Sequence, residues 1–231
     1  MRKDLVGSVV DAVIDRILNG TYPEGGALPG EVVLSQELDV SRLTVREAVK
    51  VLKERGVLEV IQGRGTYVAP RSQWTDLPTV IALTLRDSSP RDVGLRLVEL
   101  RRMIEVGAAG LAARNRSDED VTALASLIEE MESSRNVGDV AATVEADLAF
   151  HRRILLASNN PFLPVVMSPL ELALHESRTV TASQPDVQER AQCHHRMILD
   201  AIRMQDEEAA KDAMRAHMTQ TRLDLIANTA E

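Results

Sequence analysis

The stretch Val40-Ser-Arg-Leu-Thr-Val-Arg-Glu-Ala-Val-Lys-Val-Leu-Lys-Glu-Arg-Gly56 decides how the chain is read. Ser41 suits a helix N-cap, since its hydroxyl can accept from an orphan N–H of the first turn. Gly56 suits a stop after the last apolar position. Between them Val45, Ala48, Val49 and Leu52 recur at helical spacing and form one apolar face. Arg42, Arg46, Lys50 and Lys53 fall on the opposite side. Taken alone, a cationic helix face is most often solvated surface. The flanking sequence changes that reading.

Upstream, Gly30-Glu-Val-Val-Leu-Ser-Gln-Glu-Leu38 is a shorter helix pattern, joined through the tight connection Asp39-Val40-Ser41. Two helices with so short a turn form a helix-turn-helix, whose second helix enters the major groove of DNA. Downstream, Val57–Ile61 and Thr66–Ala69 read as short strands around the turn Gln62-Gly-Arg-Gly65, which carries a cation at its tip. Helix, helix, hairpin is a winged helix.

The runs Ala27-Leu-Pro-Gly-Glu31, Ser41-Arg-Leu-Thr-Val-Arg-Glu-Ala48 and Gly63-Arg-Gly-Thr-Tyr-Val68 resemble, in order, the DNA-binding domain of GntR-type bacterial transcription regulators. The resemblance implies double-stranded DNA as partner, with Ser41, Arg42, Thr44 and Arg46 at the groove and Gly63 and Arg64 at the wing. A palindromic operator needs two reading heads about a two-fold axis, so a homodimer is expected. The chain departs from the pattern twice. Val32 follows Glu31 where many relatives carry Arg, and Leu43 stands where some carry a polar residue.

At 231 residues the chain is long enough for two modest domains. It is 44% hydrophobic but only 2% aromatic, which suits helices packed through Leu, Val, Ile, Ala and Met. No run of 18 apolar residues suggests a membrane span, and the start leads into an amphipathic helix instead of a secretory apolar core. With one cysteine, Cys193, an internal disulfide is excluded, and a cytoplasmic protein is the expectation. The net charge of −8 looks wrong for a DNA binder until it is divided. Residues 1–72 hold 10 Lys/Arg and 10 Asp/Glu, so the whole excess of acid lies beyond them. A small neutral reading head on an acidic body keeps its positive field local.

Apolar residues from Val6 to Leu18 mark a first helix that Asn19-Gly20 stops, and Tyr22–Pro29 reads as a loop. Residues 1–72 are thus expected to form the winged helix, Ala69–Gln73 a linker, and residues 73–231 an all-helical domain. In that domain Trp74–Leu85 reads as a short helix. Asp92–Arg114 is a long one with Leu95, Val98, Ile104, Ala108 and Leu111 on its apolar face. Ser117 caps a helix to about Met131, and Asp139 caps another that ends near Ser158–Pro161. Phe162–Thr181, Val187–Met204 and Asp206–Ile226 complete a bundle of six or seven helices.

Asp147 and His151 are four residues apart on one helix, one turn apart on one face, a spacing that suits two ligands of one metal ion. It equally suits an ordinary surface pair, and spacing does not place His195 or His217 near it. The motifs Glu99-Leu-Arg101, Ile104-Glu105, Leu111-Ala-Ala113, Asp147-Leu-Ala-Phe-His151, His195–Ile202 and Ala213-Met-Arg-Ala-His217 resemble the FCD ligand-sensing domain of FadR-like regulators. This resemblance implies that Asp147, His151, His195 and His217 converge on one divalent cation, with Zn²⁺, Ni²⁺, Co²⁺ or Mn²⁺ suited to imidazole and carboxylate. His175 and His194 have no matching position. Arg101, inside an apolar seam, is the candidate to hold the carboxylate of an effector, unless it points to solvent with Arg102. Arg71-Ser-Gln-Trp74 with Leu77 and Val80-Ile81 resembles regulators of sugar-acid catabolism, which implies a small carboxylate such as a sugar acid.

The expected function is a ligand-responsive transcription regulator, a repressor of a catabolic operon. Two alternatives are a metal-dependent enzyme with an accessory winged helix and a winged-helix protein adaptor. An enzyme needs a base or nucleophile beside the metal, and none can be named. An adaptor has no need of Arg42, Arg46 and Arg64 together.

Overall fold

The structure, a computed structural model, describes residues 4–228 apart from the side chains at positions 172, 176, 177 and 180. The chain forms two compact units, one up to Asp87 and one from Ser88.

The first unit opens with α1 (Leu5–Leu18), whose Val9, Val10, Val13 and Ile17 are buried. The helix-turn-helix follows as α2 (Glu31–Glu37) and α3 (Arg42–Glu54). Ser41 caps α3 as expected, accepting from Thr44 N at 3.0 Å. Val45, Ala48 and Leu52 are fully buried, so α3 turns its apolar face to the core and its cations outward. The wing is an antiparallel pair, β1 (Leu58–Ile61) and β2 (Gly65–Val68), in the register Leu58↔Val68 to Ile61↔Gly65. The loop before α2 lies along β2: Leu28 N donates to Thr66 O, and Ala27 bridges Tyr67. Gly56 does more than end α3. Its φ is +72°, and a Cβ there would sit 2.3 Å from Gln73 O, so the backbone approach itself demands glycine.

The stretch expected to be a linker and a short helix is a 3₁₀ turn, Arg71–Gln73, then α4 (Leu77–Asp87). Trp74 and Leu83 join the core built by α1, α3 and the wing, and the Trp74 indole donates to Ala69 O at 2.9 Å.

The second unit is a bundle of seven helices among the described residues: α5 (Pro90–Asn115), α6 (Asp118–Asn136), α7 (Val140–Ala157), α8 (Phe162–Met167), α9 (Glu171–Ala182), α10 (Pro185–Arg203) and α11 (Glu207–Asn228). α5 packs on α7, α10 and α11, and α6 on α7 and α10. α6 carries a complete capping box, Ser117 with Asp120, and runs past Met131 because nothing breaks it before Gly138, where φ is +73°. Phe162–Thr181, read as one segment, is two helices. Pro169 has no N–H to continue the ladder, and a 3₁₀ turn, Ser168–Leu170, takes its place. α5 is also rotated from the expected face. Its buried side holds Leu97, Val98, Arg101, Glu105, Ala108 and Ala112, while Leu95, Ile104 and Leu111 sit half-buried at the flank.

Trp74 is the single tryptophan and belongs to the first core, so its fluorescence reports that unit alone. Leu52→Ala should destabilise the first unit by about 2–5 kcal/mol, as buried Leu truncations do. It should lower the urea midpoint of the tryptophan signal, and an unchanged midpoint would contradict this core assignment.

Candidate nucleic-acid interface and buried histidine centre

The outer face of α3 presents Arg42, Arg46, Lys50 and Lys53 to solvent, and Leu43 stands 66% exposed among them. Arg46 is already oriented. Its Nη2 donates to Glu31 Oε2 at 2.8 Å and its Nε to Glu31 Oε1 at 3.2 Å. This fork holds the Glu31 carboxyl below its usual range, with the Arg46 hydrogen bonds as the main cause. Ser41 and Thr44 share a hydroxyl contact of 2.8 Å at the helix start. Arg64 is exposed at the wing tip beside Gly63, whose φ of +74° lets the turn close. Cations, cap and wing tip all belong to one compact unit, with none buried in its core.

The second unit encloses the other constellation. α5 supplies Arg101 and Glu105, α7 supplies Asp147 and His151, α9 Arg178, α10 His195 and α11 His217. One ligand nitrogen from each of His151, His195 and His217 lies within 4.8 Å of the others, and all three residues are buried. Asp147 Oδ1 is 3.2 Å from His195 Nε2 and 3.8 Å from His151 Nε2. The four expected ligands therefore come together. His175 instead meets Glu145 near the surface, and His194 contributes no ligand atom to the cluster.

Charged neighbours frame the cluster. Arg101 is 2% exposed and donates to both oxygens of Glu105, from Nε at 2.6 Å and from Nη2 at 3.3 Å. Glu105 Oε2 lies 2.6 Å from His151 Nδ1, a close electrostatic contact not aligned as a hydrogen bond. Arg178 Nε is 2.8 Å from Asp147 Oδ2. Burial pushes the Glu105 carboxyl up, but Arg101 and His151 together hold it well below the ordinary range. Asp147 behaves likewise, with Arg178 the chief counterweight to burial. Burial drives His151 down to about 4, against the pull of Glu105, and lowers His217 strongly with help from His195 and His151. His151 and His217 are thus neutral at pH 7, the form in which imidazole binds metal.

The two units match two family models in the same order. Residues 5–68 match the model of bacterial regulatory proteins of the gntR family, and residues 96–220 match that of the FCD domain. The chain belongs to the GntR family of transcription regulators. As a GntR regulator with an FCD domain it resembles the galactonate operon transcriptional repressor of Escherichia coli, 33% identical with 86% of each chain covered. It also resembles the HTH-type transcriptional regulator LutR of Bacillus subtilis, 31% identical over 88% of this chain and 93% of that one. A solved GntR structure from Streptococcus agalactiae aligns over 94% of this chain and 99% of its own, at 30% identity and a TM-score of 0.55. The family and these relatives are transcription regulators, so the enzyme alternative is set aside.

The donor set of this FCD domain fits a divalent cation. His151 Nε2, His195 Nε2 and His217 Nδ1 are buried and have no hydrogen-bond partner among the described residues. Leaving such groups unpaired is unfavourable unless something accepts their lone pairs. Surrounding groups also set the tautomers. Gln192 Nε2 donates to Ile128 O at 3.0 Å, which turns its Oε1 to within 3.3 Å of His195 Nδ1. An acceptor there keeps the proton on Nδ1 and the lone pair on Nε2. Glu105 Oε2, 2.6 Å from His151 Nδ1, favours the proton on that nitrogen through its charge, although the pair is not aligned as a hydrogen bond.

Sequence reasoning did not assign roles to Glu105, Gln192 or Arg178. Glu105 and Gln192 had a signal, since each lies one helical turn from an assigned residue, Arg101 or His195, on a helix whose same face is buried. Arg178 had none, because its helix was not separated from α8.

A buried histidine held neutral makes the metal-free bundle acid-sensitive. The unfolded chain takes up a proton at such a residue near pH 6.5, whereas folded His151 does so at about 4. This group therefore leaves stability unchanged above about pH 6.5 and lowers it as pH falls toward 4, by up to about 3 kcal/mol. Glu105 and Asp147, held low, add losses only below the ordinary carboxylate range. Urea unfolding of metal-free protein, followed by helical circular dichroism at pH 7.5, 6 and 5, should show the decline, and His151→Gln should make it shallower, with His217, which burial also lowers, supplying the remainder. Parallel wild-type and variant profiles would contradict the assignment.

Proposed function

We propose that the chain is a metal-dependent, carboxylate-responsive repressor that binds a palindromic operator as a homodimer in the cytoplasm. The observation that carries the reading is the pairing of an exposed cationic α3 with a separate helical unit that buries three convergent histidines next to Asp147 and a cavity. Ser41, Arg42, Thr44 and Arg46 meet the major groove, and Gly63 and Arg64 meet the adjoining backbone or minor groove. Asp147, His151, His195 and His217 hold one divalent cation. The cation supplies a Lewis-acidic centre for an oxygen-bearing ligand.

Arg101, Arg135 and Arg178 line a cavity of about 70 Å³ together with Asp147, His195 and His217. Three guanidinium groups on one small cavity favour an anionic effector. The names of the relatives in E. coli, a galactonate operon repressor and an Exu regulon regulator, support a sugar acid. Arg101 contributes positive charge to the cavity wall.

Binding to fragments selected from random DNA tests the operator half of the reading, with light scattering on the complex. Two chains per site are expected, and affinity should fall steeply with salt. Arg46→Ala should weaken the selected site about tenfold or more and relax its sequence preference. Lys53→Ala should weaken all sequences alike. A single chain on DNA, or an Arg46 variant indistinguishable from wild type, would remove α3 as the reader in a dimer.

Metal content by mass spectrometry tests the sensor half. A cation that binds only the folded state stabilises it by mass action, so chelation should lower the melting temperature of wild type. His151→Ala should abolish that chelator effect. Protein that stays metal-free after incubation with Zn²⁺, Ni²⁺ and Mn²⁺ yet still responds to carboxylates would refute the metal role.

A further inference from the structure

The cavity beside the histidine centre is bordered by two buried arginines that differ in what their guanidinium groups already hold. Arg101 is committed. Its Nε and Nη2 meet both oxygens of Glu105, and both residues are 2% exposed. Glu105 in turn faces His151. Turning Arg101 toward a ligand would strand a buried carboxylate without its cation.

Arg178 is committed along one edge only. Its Nε faces Asp147 Oδ2 at 2.8 Å, while Nη1 and Nη2 are buried and have no hydrogen-bond partner among the described residues. Unpaired donors on a buried cation are unfavourable, more so than on a neutral group. The outer edge of a guanidinium presents two parallel N–H groups, the geometry that a carboxylate accepts with both oxygens. Charge points the same way. Asp147 is the acid beside Arg178, and Oδ1 of the same carboxylate faces His195 and His151. A cation at the histidines would draw on that negative charge and leave Arg178 under-compensated, a deficit that an anion fills.

We infer that Arg178 on α9 is the residue that grips the effector's carboxylate, and that Arg101 is the counter-ion that keeps Glu105 in place. The inference rests on the carboxylate-responsive reading given above and assigns its specificity-determining residue. The rest of the lining narrows the ligand class. Thr181 Oγ1 and Thr221 Oγ1 donate to backbone carbonyls of Arg178 and His217. Their lone pairs remain as acceptors at the cavity wall, which suits a ligand with hydroxyl donors. A short hydroxylated carboxylic acid has both features, and a fatty acid lacks the hydroxyls.

The test uses full-length zinc-loaded protein, with zinc content confirmed by mass spectrometry. Calorimetric titration compares D-galactonate, D-galacturonate and L-lactate with the primary amide of each. Wild type should bind at least one of the acids and prefer it to its amide. Arg178→Gln and Arg178→Lys should keep zinc, weaken the acid about 10- to 100-fold, and lose most of the preference over the amide. That loss separates a grip on the carboxylate from a general loosening of the cavity, which would weaken acid and amide alike. The Lys variant keeps a cation on Asp147 but lacks the fork, so it carries the test if the Gln variant fails to fold. Zinc-loaded Arg178→Lys with wild-type affinity and preference would overturn the assignment while leaving the carboxylate reading intact. If both variants lose zinc, Arg178 is a support for Asp147 and the proposal falls. If none of the three acids binds wild type, the carboxylate reading itself fails and takes the assignment with it.

Discussion

Two ion pairs lie inside the helical bundle, Arg101 with Glu105 and Arg178 with Asp147, and the histidine centre stands on them. A charge taken from water into a protein interior is strongly unfavourable alone and tolerable only beside its opposite. Each pair therefore works as a unit. Arg101 makes a buried Glu105 possible, and Glu105 faces His151 Nδ1 so that Nε2 is left for other partners. Arg178 makes Asp147 possible within reach of His151 and His195. Without the arginines the carboxylates would be protonated or turned outward, and the histidines would lose the negative charges beside them. A bundle built for stability alone would fill these positions with leucine. Their retention as charges fits a site that has something to hold.

The first unit was legible because its signals are local. Cap, apolar face, cationic face and wing turn each fit within a few residues, and Ser41, Leu52 and Gly63 play the parts their positions suggested. The histidine centre was legible only through resemblance, since its donors come from three helices and no spacing rule spans them. The misread face of α5 has a definite cause. Arg101 and Glu105 occupy the middle of its buried side, so the strongest apolar periodicity points toward the flank, to Leu95, Ile104 and Leu111. Charged side chains built into a helix seam disguise that seam. The break between α8 and α9 was missed because apolar residues continue across Pro169, and with it went the one helix whose Arg178 reaches the centre.

In the first unit, the Arg46–Glu31 fork sets an exposed cation of α3 in place. Two hydrogen bonds hold a long side chain that would otherwise sample many rotamers. Part of that side-chain freedom is thereby already removed. The two departures from the family pattern sit next to this fork. Val32 adjoins Glu31 and is 42% exposed, and Leu43 is 66% exposed three residues before Arg46. Apolar side chains there offer no hydrogen-bond donors where the family pattern has polar ones.

The histidine cluster also has a meaning for the order in which the bundle assembles. Its donors come from α7, α10 and α11, and the acid that braces them comes from α5. Contacts between parts so distant along the chain close large loops and form late in folding. A partly assembled bundle therefore does not bring these side chains together. Burial of the three imidazoles side by side marks the end of assembly, and a half-folded chain would be distinguished by histidines still open to solvent.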